Sequence, residues 1–331
     1  MMILISLLLI AISGCADISQ ERVSKQHYAM GTVITITAFD VKDEAVLDSC
    51  TQYMDSLEHE VSVNLPDSQI ARLNSAGGGR LTGDAAQILQ IAQQAAQSSH
   101  GAFDYSILPL RQLWDVENRK DGDSPPTTAE LAAAREFVGY GRIKTSDTDD
   151  ALEVTLPPGM GVDLGGIAKG YAGDKCAQFL RDAGISRAII DIGGNVRTLG
   201  SEEFNIGLRH PRGQAEDLFA VLTTGETNVI TSGDYERFFE TDGIRYHHIF
   251  DPATGESARS GLISTTVVGP DGATADALST ALFVMGLPGL ELAQQLGYEA
   301  IAVTESYEVY ATPGVIERLE IVDDSFHLAS P

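Results

Sequence analysis

Asp276 and Thr280 stand four residues apart in Asp276-Ala277-Leu278-Ser279-Thr280. On a helix that spacing puts a carboxylate and a hydroxyl on one face, one turn apart. The pair suits Mg²⁺, a hard cation that takes few protein oxygens and keeps its other positions for water and phosphate. A backbone carbonyl from an irregular turn would complete the protein's share. The pair also has a plainer reading: an acid in a first helical turn complements the dipole, and threonine can bond its own i−4 carbonyl. A second stretch, Tyr246-His247-His248-Ile249-Phe250-Asp251-Pro252, sets paired histidines at a strand end before a tight turn. Strand neighbours face opposite ways, so only one histidine can reach a shared site, as general base or phosphate ligand. A third, Gly161-Val162-Asp163-Leu164-Gly165-Gly166-Ile167-Ala168-Lys169-Gly170, runs from apolar residues through one aspartate and two glycines into a helix that ends near Gly184. A glycine turn at a helix N-terminus bares N–H groups toward phosphate, and Lys169 adds a cation. The spacing is neither a dinucleotide GxGxxG nor a P-loop, and no GxSxG, HExxH or CxxC occurs.

The elements that must position these residues mix helices and strands without a steady βαβ rhythm. Residues 27–39 read as a first strand with Met30-Gly31-Thr32 inside it, a glycine that marks a close approach. Val46, Cys50, Met54, Leu57 and Val61 mark an amphipathic helix over 43–61. Further helices are expected over 69–74, 85–99 (capped by Asp84), 128–138, 274–285 and 289–296, with a turn at 77–79. Strands are expected near 152–156, 188–191, 204–208, 219–223, 228–231, 245–250, 262–268 and 300–303. The sum is an α+β fold.

With 331 residues, 43% of them hydrophobic, the chain can bury one large core or two intimate lobes. A formal charge of −25 argues against nucleic acid or an anionic membrane surface as partner. Residues 1–14 read as a lipoprotein signal peptide ending Ile12-Ser13-Gly14, before Cys15. Cys15 would carry the lipid, 15–26 would form a tether, and 27–331 the functional domain. The protein is then expected to be exported and lipid-anchored, facing the periplasm or cell exterior. Cys50 and Cys176 fall on apolar helical faces and read as buried thiols.

Eight stretches in order resemble the ApbE family of FAD:protein FMN transferases. They are Met30-Gly31-Thr32; Pro66-Asp67-Ser68 with Ile70 to Asn74; Gly101 to Asp104; the Val162 to Gly170 segment; Asp191 to Asn195; Ser232-Gly233-Asp234-Tyr235-Glu236-Arg237; His248 to Gly255; and Asp276 to Thr280. The resemblance implies a T-fold-like architecture of two packed lobes with FAD in a central cleft. It implies Mg²⁺ on Asp276, Thr280 and the Gly166 carbonyl, and FAD contacts from Met30, Ala102, Phe103, Asp104, Asp163, Lys169 and Ile249. Asn64 falls where relatives carry an aromatic residue against the flavin. His248 would be the base, Asp276 the second catalytic residue, and an acceptor hydroxyl the nucleophile that displaces AMP. The implied acceptors are flavin-carrying subunits of membrane redox complexes, of the Na⁺-translocating quinone reductase or Rnf type. Two other uses of such a site stay open here: hydrolysis of FAD to FMN and AMP, and flavin binding without catalysis.

Overall fold

A computed structural model describes residues 22–329 apart from 40 and 42. The expected signal peptide, Cys15 and the first part of the expected tether lie outside the described residues. The first described segment is a hairpin, where a single strand over 27–39 was expected. Arg22–Ala29 and Thr32–Phe39 pair antiparallel, and Met30 and Gly31 make the turn, with φ of 54° and 72°. Two consecutive positive φ values match the twist of a two-residue hairpin; glycine adopts them freely and methionine at a cost. Residues 22–26, expected in the tether, are thus part of the sheet. Their polar character is that of an edge strand, which covers core with one face only.

Among the described residues nine strands form one sheet. Its order is Arg22–Ala29, Thr32–Phe39, Ala188–Ile192, Asn195–Leu199, Asn228–Gly233, Leu262–Gly269, Glu299–Thr304, Glu308–Ala311 and His327–Leu328. Neighbours run antiparallel except the last pair. Leu262–Gly269 is buried along its whole length, and the helix Gly272–Met285 beside it is buried on nearly every side. One face of the sheet carries this helix and Ala168–Asp182. The other face packs against a three-stranded sheet of Phe204–Arg209, Leu218–Thr224 and Leu319–Ile321. Trp114, Leu110, Leu131, Phe239 and Phe250 form a separate cluster across the cleft, where Trp114 Nε1 donates to the Gly255 carbonyl at 2.8 Å.

The expected helices are present with shifted ends: Asp48–Val61 after a short 3₁₀ turn, Gln69–Ala76, Gly83–Ser98, Thr128–Arg135, Gly272–Met285 and Pro288–Gln295. Asp84 does not cap its helix; its carboxylate receives the Tyr53 and Tyr171 hydroxyls, each at 2.7 Å. The expected turn at 77–79 opens the short strand Gly78–Leu81, and the strand expected over 245–250 ends at His247. Cys50 and Cys176 are buried and free. Among the described residues no helix is long and apolar enough to cross a membrane.

Backbone contact between two glycines sets the geometry of the helical face. A Cβ at Gly170 would sit 1.9 Å from the Gly272 carbonyl oxygen, and one at Gly272 would sit 2.3 Å from that of Gly170. One turn on, Asp174 accepts the Gly272 N–H at 2.5 Å and the Asn228 amide at 3.0 Å, and pairs with Arg197 at 2.9 Å. The first turns of Ala168–Asp182 and Gly272–Met285 are thereby pinned together. Gly170→Ala should cost about 1–3 kcal/mol by overpacking, read as a lower urea midpoint, with loss of any activity centred on Asp276. An unchanged midpoint would show that the two helices can separate freely.

Candidate active site: a cleft at two helix starts

The pinned helices form one wall of a cavity of ≈ 670 Å³, a size that holds cofactor-scale ligands. All twelve site residues expected from the sequence line it: Met30, Asn64, Ala102, Phe103, Asp104, Asp163, Gly166, Lys169, His248, Ile249, Asp276 and Thr280. They come from segments far apart in the sequence, so the cleft exists only in the folded chain.

At the helix wall, Asp276 is buried and its Oδ2 accepts the Gly170 N–H at 3.0 Å, with Lys169 Nζ at 3.8 Å. No donor among the described residues reaches its Oδ1. Thr280 lies one turn further along the same helix, and a Cβ on Gly166 would sit 3.7 Å from its Oγ1. The Gly165-Gly166 turn, the Asp276 carboxylate and the Thr280 hydroxyl therefore converge. Among the described residues no group of three His, Cys, Asp or Glu could hold a metal. One carboxylate and one hydroxyl are the kind of oxygens that suit a hard cation whose other ligands come from backbone, phosphate and water.

The two other aspartates expected at the ligand are held by protein donors. Asp163 takes Arg111 at 2.7 Å through Oδ2 and the Gly165 N–H at 2.8 Å through Oδ1. Its carboxylate braces the glycine turn. Asp104 accepts the N–H and hydroxyl of Ser106 and the N–H of Tyr140. Burial still pushes its carboxyl above the usual range. Asn64 is exposed on the cavity wall and its side chain has no bond to another described residue.

The paired histidines divide as strand alternation requires. His247 is buried against Phe283, donates from Nε2 to the Ala258 carbonyl at 3.1 Å, and accepts the Ile249 N–H on Nδ1. Desolvation lowers its pKa to about 4. His248 is half-buried on the cavity wall, with Nδ1 3.3 Å from the Arg237 carbonyl. A carbonyl only accepts, so Nδ1 carries the proton and Nε2 keeps its lone pair. Burial first, then the charge of Arg237 and the neighbouring His247, hold this imidazole well below its ordinary value. His248 is therefore neutral at pH 7.

Several lining residues had no signal of their own in the sequence. Arg237 pairs with Glu117 at 2.7 Å, and Glu117 also meets Arg111 at 3.3 Å. This ion chain runs from the Asp163 turn to the carbonyl that orients His248. Ser232 to Arg237 is one of the eight family-like stretches, but the partners Arg111 and Glu117 lie far away in sequence. Tyr28, 69% exposed, lies at the rim, and nothing in its spacing on an edge strand sets it apart from ordinary surface.

A lysine at a helix start, a carboxylate–hydroxyl pair and an imidazole, all lining one cofactor-sized cleft, have the make-up of an active site for an anionic ligand. The chain belongs to the ApbE family, whose family profile matches residues 30–302. A Klebsiella pneumoniae protein named FAD:protein FMN transferase is 33% identical over 304 residues, 90% of this chain and 94% of its own. A Treponema pallidum protein of the same name is 30% identical over 345 residues, 97% of this chain and 95% of its own. The ApbE protein of Thermotoga maritima superposes with a TM-score of 0.80 at 30% identity, over 89% of this chain and 98% of its own. The flavin transferase ApbE of Vibrio cholerae does so at 0.76 and 25% identity, over 89% and 98%. The α+β, T-fold-like architecture expected from the sequence is the one these structures share.

His247 predicts a pH dependence of stability. Its folded pKa, about 4, lies below the ordinary 6.5, so the unfolded chain takes up the proton first as pH falls. The contribution is whole above 6.5 and is lost between there and about 4, at up to about 1.4 kcal/mol per pH unit. His247→Gln should lower the urea midpoint at pH 7 yet flatten its decline in acid; parallel declines in both proteins would exclude this role.

Proposed function

We infer that the protein transfers FMN from FAD to a serine or threonine hydroxyl of an acceptor protein and releases AMP. The observation that carries this is the convergence, in one cleft, of the Gly165-Gly166 turn with Lys169, the Asp276–Thr280 pair and the neutral His248. The names of the relatives support it.

Lys169, at the positive end of a helix, binds the diphosphate of FAD. Asp276, Thr280 and the Gly166 carbonyl would hold Mg²⁺, which supplies neutralisation of the charge that builds on the leaving phosphate. The acceptor hydroxyl attacks the FMN-side phosphorus in line. A new oxygen–phosphorus bond forms, and the bond from that phosphorus to the bridging oxygen breaks, so the bridging oxygen leaves on AMP. His248 Nε2 takes the hydroxyl proton, and the Nδ1–H bond to Arg237 keeps the ring turned for this. Most of the work falls to positioning and electrostatics.

The acceptors we propose are flavin-carrying subunits of membrane redox complexes, of the Na⁺-translocating quinone reductase or Rnf type. A lipid on Cys15 would anchor the enzyme at the membrane, facing the periplasm or cell exterior.

The test incubates the protein with FAD, Mg²⁺ and such a subunit. Flavin fluorescence on the acceptor band in a denaturing gel is the expected result. Free FMN and AMP without labelling would mean that water is the acceptor, and intact FAD would mean binding without catalysis. Asp276→Ala, or removal of divalent metal with EDTA, should cut the rate at least about 100-fold. The pH profile follows from His248: with its pKa below 6.5, kcat should stay level as pH falls through 6.5 and decline only in stronger acid. A midpoint at or above 6.5 would show that the imidazole is not held below its ordinary value during turnover.

A further inference from the structure

Asn195 lines the cavity and is buried, yet its amide Nδ2 has no hydrogen-bond partner. A buried donor without an acceptor is costly and rare, and its natural explanation in a cleft is a ligand that supplies the acceptor. The surrounding structure fixes where that amide lies. Gly193 and Gly194, with φ of 58° and 92°, turn the chain between Ile192 and Asn195. A Cβ on Gly193 would fall 2.1 Å from Thr32 Oγ1, so the turn is pressed against the neighbouring strand. On the ladder, Arg197 stands opposite Asn228, and both side chains reach Asp174 on the helix above. Asn195 is two residues along, on the same helix-covered face. Gly173 sits over Arg197, its would-be Cβ 3.4 Å from that of Arg197. One helical turn back come Lys169 and Gly170, which places Asn195 beneath the helix start.

We propose that Asn195 is a substrate-binding residue, donating from Nδ2 to a non-bridging oxygen of the diphosphate. This rests on the flavin-transfer reading and adds a side-chain donor from the sheet to those from the helix. An anionic oxygen fits because the adjacent cation, Lys169, favours negative charge there.

Calorimetric titration with ADP and Mg²⁺, and separately with riboflavin, which lacks phosphate, tests it. Asn195→Leu should weaken ADP binding about 10- to 100-fold, leave riboflavin binding unchanged, and keep or raise the melting temperature without ligand, since an unpaired amide gives way to an apolar group of similar shape. Should the leucine variant not fold, Asn195→Ser carries the same comparison. Unchanged ADP affinity overturns the inference, and so does a joint fall in ADP affinity, riboflavin affinity and melting temperature, which would mark a structural role. Wild-type protein that binds neither FAD nor ADP would overturn the flavin reading and this inference with it. Wild-type binding with unmoved variants overturns the inference alone.

Discussion

The contact on which the site depends is between two backbones. Gly170 and Gly272 approach so closely that a methyl group on either would overlap the other's carbonyl. Helices normally keep 8–10 Å between axes because side chains intervene; here the first turns of two helices touch directly. Hydrogen bonds along the seam reinforce the contact: Asp276 takes the Gly170 N–H, and Asp174 takes that of Gly272. Each helix thus offers a carboxylate to a free N–H at the other's start, satisfying donors that helix termini otherwise leave open. Asp276 consequently has one oxygen committed to structure and the other turned to the cleft.

The histidine pair shows how adjacent residues are given separate tasks by burial. His247 spends both ring nitrogens on backbone partners and sits against Phe283. By filling that pocket it fixes the strand end, and the next residue is left to face the cavity. His248 has one nitrogen held by Arg237 and one available. Neither ring is charged at neutral pH, so the cleft presents a proton acceptor without adding a cation to repel its positive neighbours.

How much of this was legible depended on the distance between partners. The pair Asp276 and Thr280, the glycine turn and the alternation of His247 and His248 are local patterns, and each folds as its spacing requires. The hairpin at Met30 and Gly31 was not legible, because a methionine at positive φ is rare and an edge strand carries polar residues like a tether. Asp163 and Asp104 were expected at the ligand through the family resemblance and both line the cavity, but their carboxylate partners Arg111, Gly165, Ser106 and Tyr140 were not legible. The Arg111 to Asp163 bond spans 52 residues and the Arg237 to Glu117 bond 120, separations over which no periodicity speaks. Asn195 was visible only as the residue after a Gly-Gly turn; its significance came from an unpaired atom.

The aromatic cluster across the cleft has an optical consequence. The chain holds a single tryptophan, Trp114, stacked on Phe250 with ring centres 5.9 Å apart, and Phe250 itself lines the cavity. Isoalloxazine absorbs where indole emits, so a flavin in the cleft drains the excited state of that one fluorophore. The protein carries a built-in gauge of its own occupancy, readable without label, acceptor or turnover.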